Sequence, residues 1–239
     1  MKEERIVMKA RPIIFSAPMV RAILEGRKTQ TRRIIKPQPL VKDGKFSWSG
    51  HAPNSKFGAF WSSTVDRESI DIFVAPSCQY GERGDRLWVR ETFQGPLINE
   101  DEGMPEGTYS PKYCVYRADG DSAPEFRDCD DNLKNCWKPS IYMPRWASRI
   151  TLEIISVRVE RLNDISASDA MKEGSSSSDW MEIESDCENG ISVVDIFQDL
   201  WNSINGADSW NLNPWVWVIE FEVIERNIDK VINSTKEPS

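Results

Sequence analysis

The sequence predicts an α+β fold, mostly β: a curled mixed sheet or small barrel with short helices between its strands and long loop insertions. Three observations predict it. Residues 149–162 and 215–224 alternate over a strand's length, with Trp217, Ile219, Phe221 and Val223 set against Val218, Glu220 and Glu222. Apolar residues at helical spacing occur only in short stretches. Residues 40–80, rich in Ser, Gly and Pro, and residues 94–140 carry no long periodicity.

In chain order, 1–10 reads as a polar leader. A short strand at Ile13, Ile14 and Phe15 precedes a helix capped by Ser16 or Ala17, with Pro18 in its first turn and Met19, Val20, Ile23 and Leu24 on one face. Gly26 fits the left-handed position just past a helix end. A strand follows over 29–35, closed by Lys-Pro-Gln-Pro at 36–39. The turn at 80–85 feeds a strand at 86–92, and 113–117 is a further short strand. In the long strand at 149–162, Leu152, Ile154, Ser156 and Arg158 share one side and Ile155, Val157 and Val159 the other. Ser166 to Asp169 is a capping box with Asp in the place of Glu; it opens a helix over 167–173 that ends at Gly174. Residues 175–178 are a flexible serine run. A second helix, 193–204, presents Val193, Ile196, Phe197, Leu200, Trp201 and Ile204 on one face. Residues 227–239 read as a frayed tail. The expectation is one domain, 11–226, with insertions at about 40–80, 94–140 and 175–192.

The chain has 239 residues, 38 acidic and 30 basic, with a formal net charge of −8. The charge is uneven: residues 97–131 carry −7, residues 164–195 carry −8, and the remainder +7. The acidic total therefore does not exclude a nucleic-acid partner, because Arg21, Arg27, Lys28, Arg32, Arg33 and Lys36 cluster against Glu25 alone. The ten Trp argue against disorder. No apolar run approaches the ~18 residues of a membrane span and the N-terminus has no signal-peptide core, so a cytoplasmic protein is expected. Five cysteines without a C-x-x-C pair and a single histidine, His51, disfavour a disulfide framework, a metal site and a histidine-based triad. Acid–base chemistry would fall to Lys, Glu, Asp or Tyr.

Four segments then stand in order: Gly26-Arg-Lys-Thr-Gln-Thr-Arg-Arg33 after a short apolar helix, Gly84-Asp85 before a strand, Ala170-Met-Lys-Glu-Gly174 at a helix end, and the Trp-rich strand from Trp215 to Glu222. Together they resemble the ASCH domain family, whose fold is similar to the PUA-like RNA-binding pseudobarrel. The stretch from Arg11 through Arg33 looks most like ASCH proteins of bacteriophages and prophages, whose setting would be the bacterial host cytoplasm. The similar segments, 11–36, 81–93, 144–174 and 196–226, cover 101 of the 239 residues.

The resemblance implies a function. Small bacterial ASCH proteins include an amidohydrolase that removes the acetyl group of N4-acetylcytidine, and its site residues fall on Lys28, Thr31 and Glu173. In a regular strand Lys28 and Thr31 point to opposite faces, so they converge only if Lys28 sits in the turn after Gly26. Two divisions of labour stay open. In one, a deprotonated Lys28 is the base, Thr31 attacks or orients water, and a protonated Glu173 donates to the leaving nitrogen. In the other, charged Lys28 polarises the carbonyl and Glu173 is the base. Arg21, Arg27, Arg32, Arg33, Arg145 and Arg149 are expected on phosphates, with Trp146 as a platform for a base. The expected partner is a nucleoside or RNA, with no cofactor, metal or membrane. The alternatives are a non-catalytic RNA-binding module, a phage accessory protein that holds a host protein through its acidic insertions, or a ribonuclease.

Overall fold

The computed structural model describes residues 8–42, 45–47, 78–98, 105–120, 122–127, 132–175 and 192–234. Most of the 40–80 insertion, with Trp61, and residues 176–178 of the serine run lie outside them.

The protein is mixed α/β with a mainly β core and few, short helices. Strand β1 (Ala10–Ile14) begins inside the expected leader and leads to helix α1 (Ala17–Leu24), entered through Ser16 and Pro18. Gly26 takes φ +73° and lets the chain reverse. Strand β2 (Gln30–Ile34) follows, then a hairpin of β3 (Leu40–Lys42) and β4 (Lys45–Ser47). Strand β5 (Arg86–Arg90) precedes two short ribbons, β6 (Phe93–Gln94) with β7 (Val115–Tyr116) and β8 (Glu125–Arg127) with β9 (Leu133–Asn135). Strand β10 (Thr151–Arg161), helices α2 (Ala167–Lys172) and α3 (Val193–Asn205), strand β11 (Trp215–Ile224) and helix α4 (Ile228–Ser234) complete the chain.

The main sheet has the order β1-β5-β10-β11-β2, with β1 and β5 parallel and the other neighbours antiparallel. Strands β1 and β2 are its two edges, so the described residues form an open sheet and not the closed small barrel. Its inner face explains the curl. Ile13, Leu87, Val89, Leu152, Ile154, Trp217, Ile219 and Phe221 converge there with Phe15 and with Val20 and Ile23 of α1. Helix α1, which lies between β1 and β2 in sequence, adds Val20 and Ile23 to this core.

A β-bulge corrects the reading of β10. The register with β11 slips between Ile154 and Ser156, so Ile155 is an extra residue. Leu152 and Ile154 therefore share the core face with Val157 and Val159, while Ser156, Arg158 and Glu160 turn to the opposite face. That opposite face is not simply solvated. Val216 and Val218 of β11 are fully buried there under α3, with Phe197, Trp201 and Trp210. Serine 192 and Asp195 form a complete capping box at the start of α3.

Two loop-like regions are ordered. Within 94–140, Ala118 joins the main core, and Tyr116 packs with Phe93, Met143 and Ala147 in a third cluster. Instead of a frayed tail from 227, α4 buries Ile228 and Val231, and the Asn227 amide donates to the carbonyls of Arg145, Trp146 and Ser148.

Candidate functional site

The end of α1 places Lys28. The backbone N–H groups of Arg27 and Lys28 both donate to the Ala22 carbonyl, and Thr29 N–H donates to the Lys172 carbonyl at the end of α2. Lys28 thus sits before β2, in an isolated bridge opposite Glu173. This is the turn position that convergence with Thr31 requires. Its ammonium donates to Glu173 Oε2 at 2.7 Å and to the Glu173 carbonyl at 2.9 Å. The side chain of Lys28 is 0% exposed and that of Glu173 4%. Burial holds the Lys28 ammonium below the ordinary lysine value against the pull of Glu173, and Arg33 and Arg32 push the same way as burial.

Glu173 caps the end of α2, and Gly174 follows it at φ +85°. A Cβ on Gly174 would lie 3.0 Å from that of Ala22 and 3.3 Å from that of Lys28. Gly174→Ala is therefore strained in backbone and crowded against the site. It is expected to lower stability by about 1–2 kcal/mol, read from urea unfolding.

Arg32 ties Glu173 to a wider network. Its Nη1 donates to Glu173 Oε1 at 3.2 Å and to Gln30, and its Nη2 to Glu160 Oε2 at 3.0 Å and Asp169 Oδ2 at 3.3 Å. Arg158 joins from β10, donating to Asp169 at 3.1 Å and Glu220 at 2.9 Å and pairing with Glu160. Ser156 donates to Glu220 at 2.9 Å. The bulge at Ile155 is what brings Ser156, Arg158 and Glu160 to this face. The expected capping box of α2 is half made: Ser166 Oγ accepts from Asp169 N–H, while the Asp169 carboxylate is drawn to Gln30, Arg32 and Arg158.

Burial raises the Asp169 and Glu220 carboxyls, but the hydrogen bonds of Gln30 and Ser156 and the charges of the nearby arginines outweigh it, so both titrate below the ordinary carboxylate range. The unfolded chain binds protons first. The stability they contribute is complete above the unfolded value of about 4 and is lost as pH falls through their lower folded values. Urea unfolding between pH 7 and 3 is expected to show this loss, and Asp169→Asn to flatten it.

A cavity of about 280 Å³ opens beside Glu173 along the free edge of β2. Small-molecule sites run from about 300 Å³ upward, so it suits one small ligand. Because β2 is an edge strand, Thr31 and Arg33 from one face and Arg32 from the other all reach the cavity. The far wall is Phe197, Leu200 and Trp201 of α3, with Tyr80 and Met19 beside them. Lys28 is not in the lining; it lies behind Glu173. The cavity is thus walled by α3 and β2.

The structure brings Lys28, Thr31, Glu173, Arg32 and Arg33 together. It sets the other expected residues apart. Arg145 pairs with Asp229, and Arg149 with Glu91 at 2.9 Å and Asp119 at 2.7 Å, both near the start of β10, the end remote from Arg158. Trp146 meets Tyr109 edge-on at 5.3 Å and is no bare platform. Arg27 pairs with Glu25, and Arg21 reaches toward the Ala118 carbonyl. Arg21, Arg27, Lys28 and Arg32 of the basic stretch are therefore engaged within the protein. Its deepest cations are neutralised by Asp169 and Glu173, which belong to a stretch that reads as acidic excess.

Sequence reasoning missed Gln30, Arg158, Glu160, Asp169 and Glu220 as a network, and Tyr80, Phe197 and Trp201 as cavity walls. Charged residues inside apolar strands, Arg158 and Glu220 above all, were the available signal. No helix among the described residues is long and apolar enough to cross a membrane, and they hold no group of three or more His, Cys, Asp and Glu arranged for a metal.

Comparison with models of protein families, with curated proteins and with solved structures finds no match.

Proposed function

We propose that the protein is an ASCH-type hydrolase on a PUA-like sheet that cleaves the amide of an N4-acylated cytidine. The observation that carries it is the buried Lys28–Glu173 pair at the end of a small cavity that Thr31 also lines. Those are the three positions the resemblance singles out, and they meet although 142 residues separate Thr31 from Glu173.

The arrangement favours Glu173 as the group that moves protons. Glu173 faces the cavity; Lys28 does not and acts through it as a positioning residue. A water held by Thr31 loses a proton to Glu173 as its oxygen bonds the acyl carbon. The C–N bond then breaks, the proton passes from Glu173 to the departing N4, and the acid and cytidine leave. Lys28, with its proton held loosely by burial, offsets the charge that Glu173 gains and loses. Buried N–H donors around the cavity suit the oxyanion.

The alternative of a non-catalytic RNA-binding module is less well supported, because four of its six arginines pair with carboxylates and the other two, Arg21 and Arg33, reach main-chain carbonyls. Incubation with N4-acetylcytidine, followed by chromatography, is expected to show release of cytidine, and Thr31→Ala to slow it by at least about 100-fold. Absence of cytidine release, or full activity in Thr31→Ala, would refute the hydrolase.

A further inference from the structure

The cavity contains donors that the protein leaves unanswered. Three of its lining residues carry a buried N–H without a partner among the described residues: Arg32 Nε, Arg33 Nε and Trp201 Nε1. Buried polar groups are nearly always hydrogen-bonded, so three at one cavity call for an acceptor from outside the chain. The one carboxylate in the lining does not supply it. Glu173 already takes Lys28 on Oε2 and Arg32 on Oε1.

Arg33 differs from the other cations of the site. Its Nη2 donates to the Ile14 carbonyl at 2.7 Å and its guanidinium stacks on the Phe15 ring at 5.0 Å. Both contacts fix its plane, and neither brings a formal negative charge. It has no carboxylate partner among the described residues. Burial acts against its charge and outweighs the support it has from Tyr80 and Glu173. Lys36, exposed, lines the same cavity three residues on, after β2 has ended. A planar fork and a flexible ammonium on one rim form a phosphate-binding pair.

We infer that the cavity takes a single nucleotide, with its phosphate on Arg33 and Lys36 and a carbonyl oxygen of its base or acyl group on Trp201 Nε1 and Arg32 Nε. The base rests on the function proposed above; the phosphate rests on the donor set alone. A mononucleotide fits better than an RNA strand. The cavity of about 280 Å³ holds one unit. Arg27, Arg145 and Arg149, expected on further phosphates, pair with carboxylates instead.

Calorimetric titration of the full chain with cytidine, cytidine 5′-monophosphate, cytidine 3′-monophosphate and a short cytidine-containing oligoribonucleotide tests this. One of the monophosphates is expected to bind at least about tenfold tighter than cytidine, and Lys36→Gln and Arg33→Gln each to remove most of that gain. Lys36 is exposed, so its variant keeps the test valid if Arg33→Gln fails to fold. Equal binding of cytidine and both monophosphates, or a gain that neither variant reduces, overturns the inference. An oligonucleotide that binds more than about tenfold tighter than either monophosphate overturns it in favour of RNA. The two proposals fail separately. Cytidine release without a phosphate preference leaves the hydrolase standing and removes the nucleotide. A phosphate preference without any release does the reverse.

Discussion

Lys28→Met is expected to lower the unfolding free energy by about 3–5 kcal/mol. The lysine side chain is fully buried, and its ammonium is the partner of both Glu173 Oε2 and the Glu173 carbonyl. Methionine fills similar volume but leaves those two buried acceptors without their donor. The loss belongs to the broken pair and not to the missing charge as such. Lys28→Met combined with Glu173→Leu is therefore expected to recover much of the stability, because a buried ion pair replaced whole by apolar groups is often neutral. Urea unfolding of the two single variants and the double variant gives the coupling energy. Additive effects would show that the pair does not act as a unit.

Arg32→Leu is expected to cost at least as much, about 3–5 kcal/mol. One guanidinium there meets Glu160, Asp169 and Glu173 on two of its nitrogens, and its side chain is 0% exposed. Removal leaves three carboxylates facing one another, with Arg158 still holding two of them. Arg32→Lys is expected to restore only a minor part. An ammonium is a compact charge and cannot span partners arranged around a planar fork. Full recovery in the lysine variant, measured by urea unfolding, would mean that charge alone and not geometry organises the network.

The parts of the fold that follow from local rules were legible in the sequence. Gly26 ends α1 in a left-handed turn, Ser166 caps α2, and the alternation from Trp217 to Phe221 marks the strand at the centre of the core. What depended on distant partners was not. The bulge at Ile155 leaves no local signature, yet it decides which face carries Arg158 and Glu160. A curled mixed sheet and a small barrel were both legible, and the choice between them was not, because closure depends on whether the distant edges β1 and β2 pair. At the site, Lys28, Thr31 and Glu173 stood out through the resemblance, and Gly26 predicted the turn that unites them. Arg145, Trp146 and Arg149 drew notice by residue type, but type does not reveal that Glu91, Asp119 and Asp229 lie in wait for two of them. Segment charge misled for the same reason. Asp169 and Glu173 belong to an acidic stretch in sequence and to a basic cluster in space.

The small cavity is asymmetric in chemistry. One end has a carboxylate backed by a buried lysine, the edge of β2 supplies arginine N–H groups, and the α3 wall is aromatic. A ligand that satisfies all three has an acyl or amide group, oxygen acceptors and a flat ring. Acylated cytidines combine these.

The most direct test of this account is the turnover of N4-acetylcytidine by the intact chain and by Glu173→Gln, measured side by side, with circular dichroism to show that the variant keeps its fold. Glutamine preserves the shape and cannot move the proton. The account predicts cytidine release by the intact chain and a fall of about 100-fold or more in the folded variant. Equal turnover by the two proteins, or none by the intact chain, would contradict it.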